Sequence, residues 1–474
     1  MRLRLRRLRL RLRGGWPLVR FRGPFRRLEE KDMRSDPLKP GLYHYRVGDQ
    51  YEGTRFHLRV EPDGEGILSI DARKILHLNQ TATEYARLIL EGADENTAVK
   101  RLQSRYTVDP DIVRNDFSDL KETIFAFTIE SKLCPVSYMD VERIEPFRTP
   151  ATAPYRMDFA LTYRCDNDCP HCYVERPKDF TEMDTGRWKE ALDRLWDLGI
   201  PHVVFTGGEA TLREDLVQLV EYAEDLGLIT GLLTNGRNLG KGGLMERLGE
   251  AGLDHVQVTL ESHLEDIHDR MVGYPGAFAQ TVEGIKAAVE SPVYVITNTT
   301  ITSLNRDTVV ETVDYLHGLG LESIAMNGVI YTGGASEGDL GVPEEEMADI
   351  IIDARDRAFS LGMRFIWYTP TRYCQLDPVA LGLGPKQCTA AKYNMCVEPN
   401  GDVIPCQSYY HPVGNLMDDR WEDIWEAPLC RSIREREFAG EECRACDTFA
   451  ICGAGCPLSG EKGTLICVES KSSS

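Results

Sequence analysis

From residue 157 the chain repeats one unit, an apolar strand followed by a loop and an amphipathic helix. No other feature constrains the fold as much. Strand patterns run through MDFALTY (157–163), HVVFT (202–206), ITGLLT (229–234), HVQVTL (255–260), VYVITNTT (293–300) and SIAMN (323–327). Helical patterns lie between and after them. One follows Asp184, with Trp188, Ala191, Leu192 and Leu195 on one face, and others occupy roughly 213–227, 242–251, 276–290, 306–319 and 344–361. Six β–α units at this spacing predict an α/β fold, a parallel sheet with helices outside. Such sheets place their chemistry at the C-terminal ends of the strands.

The flanks read differently. FHLRV and GILSI, within 54–70, alternate as strands do. Three helices are predicted after them. Thr81 with Glu84 reads as a capping box ahead of Tyr85, Leu88 and Ile89. A second helix follows Asn96, with Val99, Leu102 and Tyr106. A third opens on Asp109-Pro110 and carries Val113, Phe117, Leu120 and Ile124 on one face. Residues 50–130 are therefore expected to form a winged-helix-like α+β domain, with Pro146, Pro150 and Pro154 in a linker. The barrel is placed at 155–368. Over 370–470 the periodicity fades, apart from a short helix near WEDIW (421–425). A loop-rich segment of that size needs a staple, and its cysteines point to metal ligation.

Residues 1–32 hold twelve basic and three acidic side chains, +9, which leaves −29 on the remainder of a chain of net charge −20. An acidic body does not suit a phosphate backbone and argues against nucleic acid as a partner. The opening MRLRLRRLRLRLR reads as a disordered extension preceding a start at Met33. A transit peptide or a basic membrane or nucleic-acid arm are the alternatives. No stretch approaches 18 apolar residues, so no membrane span is expected. A cytoplasmic location is expected. The fourteen cysteines are clustered: Cys165, Cys169 and Cys172 lie on one loop and ten more fall between 374 and 467. Clustered thiols in an intracellular chain hold metal or carry redox chemistry more often than disulfides.

Cys165-Asp-Asn-Asp-Cys169-Pro-His-Cys172 directly follows the first strand pattern. Three thiolates can hold three irons of a [4Fe–4S] cube and leave the fourth open to an external ligand. A zinc site with His171 as fourth ligand is the competing reading. The CxxxCxxC loop after strand one resembles the radical S-adenosylmethionine (SAM) superfamily. The resemblance implies a partial (β/α)6 barrel in which the open iron chelates SAM. An electron from the cluster then cleaves a C–S bond and yields a 5′-deoxyadenosyl radical that abstracts hydrogen from substrate. Cys165, Cys169 and Cys172 become the catalytic residues, with Tyr173 packing over the cluster.

The strand ends extend the likeness. Gly207-Gly208-Glu209 ends the second strand, and the resemblance implies that it binds the amino group of the methionine part of SAM. The two glycines would let the backbone approach a ligand closely. Thr234 and Asn235 end the third strand, Glu261 and Ser262 the fourth, and Asn298 and Thr300 the fifth. By resemblance these are candidates for the ribose or carboxylate, and helix capping is the plain alternative. His255, His263 and His268 read as packing or surface residues.

Cys388, Gly401, Cys406, Cys443, Cys446, Cys452, Cys456 and Cys467 have a spacing that resembles the SPASM extension of radical enzymes that modify peptides and proteins. The resemblance implies two auxiliary [4Fe–4S] clusters. Cys388, Cys406 and Cys456 would serve the first, with Cys374 as fourth ligand and Cys396 as its alternative. Cys443, Cys446, Cys452 and Cys467 would serve the second. A zinc-ribbon array is the other reading. Finally, residues 66–127 resemble the pyrroloquinoline-quinone peptide chaperone, which captures leader peptides by adding them as a strand to an exposed edge.

Together these imply a peptide-modifying radical enzyme, supplied with electrons by a donor such as ferredoxin or flavodoxin. Two other readings stand at this point: a radical enzyme of tetrapyrrole (haem) synthesis, and a non-enzymatic iron–sulfur carrier or scaffold.

Overall fold

A computed structural model describes residues 38–46, 54–70, 74–129, 151–336 and 340–458, together with the short strands Trp16–Val19, Arg26–Arg27 and Glu142–Ile144. Cys134 and Cys467 lie outside the described residues, as do most of residues 1–32.

The N-terminal unit is an antiparallel meander of Gly41–Arg46, Arg55–Val60, Gly66–Ile70 and Lys74–Leu78. Its helices are Gln80–Leu90, Glu95–Gln103 and Pro110–Ile129. The unit thus begins with a strand that precedes the expected boundary at 50. Along Arg55–Val60 the side chains alternate between two buried faces. Phe56, Leu58 and Val60 join Leu68, Leu76, Tyr85, Val113, Phe117, Leu120 and Ile124 in a core of the unit's own. Arg55, His57 and Arg59 face the barrel. The Arg55 guanidinium pairs with Glu224 and with Asp254, the latter at 3.1 Å. His57 Nε2 donates to the Gly227 carbonyl at 2.6 Å. Arg59 donates to the Ala153 and Pro154 carbonyls at 3.0 and 3.1 Å.

The expected capping box is corrected by the structure. The first helix is capped by Asn79, whose side chain accepts from Ala82 N at 2.9 Å. Glu84 is instead turned inward, where it pairs with Arg105 and accepts from Tyr106 Oη at 3.0 Å. The second helix is capped by Asp94, not by Asn96. Beyond Lys74–Leu78, Trp16–Val19 runs parallel to its end in the register Leu18↔His77 and Val19↔Leu78, and Glu142–Ile144, antiparallel to Trp16–Val19, forms the edge.

The large sheet begins at Arg156–Thr162 and continues, each strand parallel to the last, through His202–Gly207, Ile229–Thr234, His255–Thr259, Tyr294–Ile301, Ser323–Gly328 and Arg364–Trp367. The count of six units is exceeded by one, because the four-residue strand RFIW after helix Glu344–Ser360 also joins. Helices pack outside. Trp188, Ala191, Leu192 and Leu195 of Thr185–Asp197 bury against Met157, Phe159 and Val203. One helix, Glu265–Val272, carried no expectation. On the other side of the first strand lies Asn394–Val397, also parallel, and the antiparallel strands Asp402–Ile404 and Gly414–Asn415 continue from it. The cysteine-rich segment therefore extends the barrel sheet instead of standing apart. Among the described residues no helix is long and apolar enough to cross a membrane.

Candidate active site

The loop Cys165–Cys172 leaves the C-terminal end of the first strand and is held from several sides. The second strand end approaches first. Gly208 N donates to the Thr162 carbonyl at 2.7 Å and Glu209 N to the Arg164 carbonyl at 2.9 Å. Gly207 has φ +138°, and a Cβ added to it would collide with the Thr162 carbonyl. What the two glycines approach closely is thus the first strand, which sets where the loop begins.

From the third strand end, Asn235 Nδ2 donates to Asp166 Oδ1 at 2.7 Å. Arg237 donates to the Asp166 carbonyl and to Asn167 Oδ1 at 2.8 Å. Its guanidinium lies 3.7 Å from the centroid of the Tyr274 ring. From the fourth, His171 Nε2 meets Glu261 Oε1 at 2.9 Å. The end of helix Glu265–Val272 takes the loop from below, with Asp168 N donating to the Val272 carbonyl at 2.9 Å. Beyond the sixth strand, Thr332 Oγ1 donates to the Tyr173 carbonyl at 3.1 Å.

All three loop thiols are partly exposed. Asn167 N donates to Cys165 Sγ at 3.4 Å, and Cys169 Sγ donates to the Val272 carbonyl at 3.7 Å. Burial raises the Cys165 thiol to about 12, with Glu209 and Asp166 adding to the effect. Burial, then the neighbouring Cys172 sulfur, pushes Cys169 well up. Free thiols so placed stay protonated, so holding metal means releasing their protons. Among the described residues no three Cys, His, Asp or Glu side chains converge on a point that one ion would fill. A cube binds each thiolate on a different iron, and this donor set fits that group. A single zinc fits poorly, since the three thiols and His171 do not converge on one point.

The remaining candidates divide. Glu209 is fully buried; Oε1 accepts from Thr234 Oγ1 at 2.8 Å and Thr211 N at 3.0 Å, and Oε2 from Asn235 N at 2.8 Å. It therefore ties the second strand end to the third. Glu261 Oε2 accepts from Thr300 N at 2.8 Å. Ser262 faces Thr308 at 3.1 Å and receives Leu264 N at 3.2 Å, a local turn contact. Asn298 Nδ2 donates to Asn327 Oδ1 at 2.7 Å, while its own Oδ1 is buried without a partner. Burial raises the Tyr173 phenol above its usual range, and the nearby thiols of Cys172 and Cys396 add to it. Arg237 carried no expectation, although it directly follows Thr234-Asn235-Gly236.

In the cysteine-rich segment, Cys388, Cys406 and Cys456 lie near one another. Burial is the main cause of the raised Cys388 thiol, followed by the Cys456 and Cys406 sulfurs. Cys396 is fully buried among Ala160, Tyr163, Ile404 and Tyr410, whereas Cys374 is exposed. Tyr373 N, beside Cys374, donates to Cys452 Sγ at 3.4 Å. Gln387, beside Cys388, donates to the Ala450 and Ile451 carbonyls at 2.5 and 2.6 Å. Cys446 is exposed and Cys443 partly so.

Comparison with known proteins matches this geometry. Residues 159–316 match the Radical SAM superfamily, and residues 388–447 match an iron–sulfur cluster-binding domain. A PqqA peptide cyclase of Methylocella silvestris is 30% identical over 308 residues, spanning 62% of this chain and 80% of that protein. The chain belongs to the radical SAM superfamily. A second PqqA peptide cyclase, from Ruegeria pomeroyi, is 28% identical over 319 residues, 64% of this chain and 82% of its own. Among solved structures, Streptococcus suis SuiB bound to precursor peptide SuiA superposes with a TM-score of 0.64 at 17% identity, over 87% of this chain and 95% of that one. The anSMEcpe structure with bound AdoMet and Cp18Cys peptide gives 0.52 at 19% identity, over 64% and 89%. The cofactors of this radical SAM chain are SAM and [4Fe–4S] clusters, auxiliary ones included.

Glu261→Ala tests how the loop is held. It removes the partner of His171 and of Thr300 N inside a buried site, a loss of about 2–4 kcal/mol. The expected results are a lower melting temperature and reduced iron retention after gel filtration. Glu261→Gln, which keeps an acceptor, recovers most of the loss.

Proposed function

We propose that this enzyme modifies a ribosomally made peptide or protein side chain. The observation that carries the reading is the three-thiol loop at the C-terminal end of the first strand, backed by relatives that bear the name of a peptide cyclase. With cluster and SAM bound, the site supplies reductive cleavage of SAM and a 5′-deoxyadenosyl radical for hydrogen abstraction. The chain's own residues do the rest. Cys165, Cys169 and Cys172 hold the cluster. Glu209, Thr234 and Asn235 order the strand ends around it, and Glu261 with His171 fixes the loop. The open acceptor on Asn298 is left for a ligand donor, and Gly207, Gly208, Ser262 and Tyr173 shape the walls.

The domains we assign are 50–130 for peptide recognition, with a winged-helix-like character, 155–368 for the barrel and 370–470 for two auxiliary clusters. In the first auxiliary site Cys374 is preferred to Cys396 as fourth ligand. The apolar pocket around Cys396 leaves little room, and a Cβ added at Gly455, beside Cys456, would lie 3.4 Å from the backbone of Thr371–Arg372. The second takes Cys443, Cys446, Cys452 and Cys467. A leader peptide would pair along Lys74–Leu78; the Trp16–Val19 strand pairs with its last two residues only. A cytoplasmic setting keeps the thiols reduced, and ferredoxin or flavodoxin would be the electron donor.

The test uses the anaerobic, cluster-loaded chain with a reductant, SAM and the short peptides encoded beside its gene. A mass change in one peptide together with 5′-deoxyadenosine supports the reading. 5′-Deoxyadenosine with every peptide unchanged counts against the peptide as substrate.

A further inference from the structure

The polar face of the N-terminal sheet does not close completely on the barrel. Between that sheet, the N-terminal ends of the first barrel strands and the segment around Cys388 lies a cavity of about 340 Å³. That is within the range of small-ligand sites, about 300–1,000 Å³. It lies at the opposite end of the strands from the cysteine loop, so SAM chemistry does not account for it.

Its lining is unusual for a chain of net charge −20. Arg59, Arg156 and Lys386 border it, with His57, His77 and His202, and among the described residues no carboxylate does. Two of the three cations are already answered: Arg59 pairs with Glu61 at 2.7 Å, and Arg156 with Asp158 at 2.9 Å. Lys386 has no such partner among the described residues.

Four buried polar atoms on lining residues also lack a hydrogen-bond partner: His57 Nδ1, His77 Nδ1, His202 Nε2 and Tyr155 Oη. His57 and His77 are 1% and 4% exposed. Buried polar groups are nearly always satisfied, so a concentration of unsatisfied ones around one void marks a missing partner. Three imidazoles also raise the question of a metal ion, but among the described residues no three such groups converge on one. The other walls are apolar: Ile67, Ile75, Ile229 and the Tyr155–Tyr393 ring pair, stacked at 4.9 Å.

We propose that this cavity binds a small organic anion, a carboxylate on a flat apolar body, with its head on the Lys386 ammonium and the Tyr155 hydroxyl and its body against the isoleucine and tyrosine walls. Water could satisfy the imidazoles, but it would leave Lys386 without a counter-charge. A ligand here would touch Gln387 and Thr389, on either side of Cys388, and also the N-terminal sheet. It would join the proposed recognition unit to the auxiliary-cluster segment without reaching the cysteine loop.

Equilibrium dialysis of radiolabelled benzoate against the full-length, cluster-loaded chain tests this. One saturable site is expected, with benzamide, of the same shape but uncharged, competing at least about tenfold more weakly. Lys386→Met should weaken benzoate by about tenfold or more, whereas Lys241→Met, on a distant surface turn, should not. Ile75→Trp fills the void and should abolish binding. Circular dichroism and iron content show whether each variant is folded and loaded. Absence of saturable binding, equal competition by benzamide, or parental affinity in Lys386→Met would overturn the proposal.

Discussion

A chain carrying Cys165→Ala, Cys169→Ala and Cys172→Ala is expected to retain about eight irons of the parent's about twelve and to make no 5′-deoxyadenosine. The reasoning is geometric. The loop sulfurs act on one another, and Cys456 and Cys406 act on Cys388, so the two sets are separate groups and emptying one should leave the other intact. The loop itself should keep its shape, because the Asn235–Asp166, Arg237–Asn167 and His171–Glu261 contacts involve none of the three thiols. The loss should therefore be selective, with a melting temperature close to that of a parent stripped of the same cube. Iron and sulfide analysis with product chromatography reads both halves. Loss of all iron would mean that the two regions fold around metal as one unit.

The second large effect is expected at Gly207. Gly207→Ala places a methyl group against the Thr162 carbonyl at a φ of +138°, which alanine does not tolerate. Neither neighbour is a flexible side chain, so the strand ends must part. The Gly208–Thr162 and Glu209–Arg164 backbone bonds and the seating of Glu209 on Thr234 and Asn235 would be lost together. A destabilisation of about 3 kcal/mol or more is expected, read as failure to accumulate folded protein or as a collapsed denaturation midpoint. Gly318→Ala is the control. It lies in helix Val309–Gly318 with nothing within 4 Å of an added Cβ. That change should be stabilising by at most about 1 kcal/mol. Comparable loss in both would show that Gly207 has no special place.

The contrast between these glycines shows where sequence reasoning ran out. Apolar periodicity located the barrel strands and the buried stripe of Thr185–Asp197, because period 2 and period 3.6 are dictated by burial on one side. The CxxxCxxC spacing identified the loop, because adjacent thiols have few other uses. Gly207 was legible as a close-approach residue, but what it approaches was not, since a ligand and a neighbouring strand leave the same mark on a sequence. Arg55, His57 and Arg59 look like the solvent face of a half-buried strand, and only the docked barrel shows that this face is buried too. Thr81 and Glu84 satisfied a capping pattern, but Asn79, two residues earlier, takes the cap once the sheet fixes where the helix starts. Glu84 is then free to bury against Arg105. RFIW was too short to separate from a loop until its register with Ser323–Gly328 was visible. Arg237 has no local signal beyond its position, because its partners Asp166 and Asn167 are about seventy residues away.

The account depends on an iron corner at the Cys165–Cys172 loop that is open to SAM. The most direct measurement is the electron paramagnetic resonance spectrum of the reduced, anaerobic chain before and after adding SAM, in the parent and in the triple alanine variant. The account predicts a SAM-dependent change in one cluster signal of the parent and none in the variant. A loop carrying zinc, with spectra indifferent to SAM in both proteins, would contradict it.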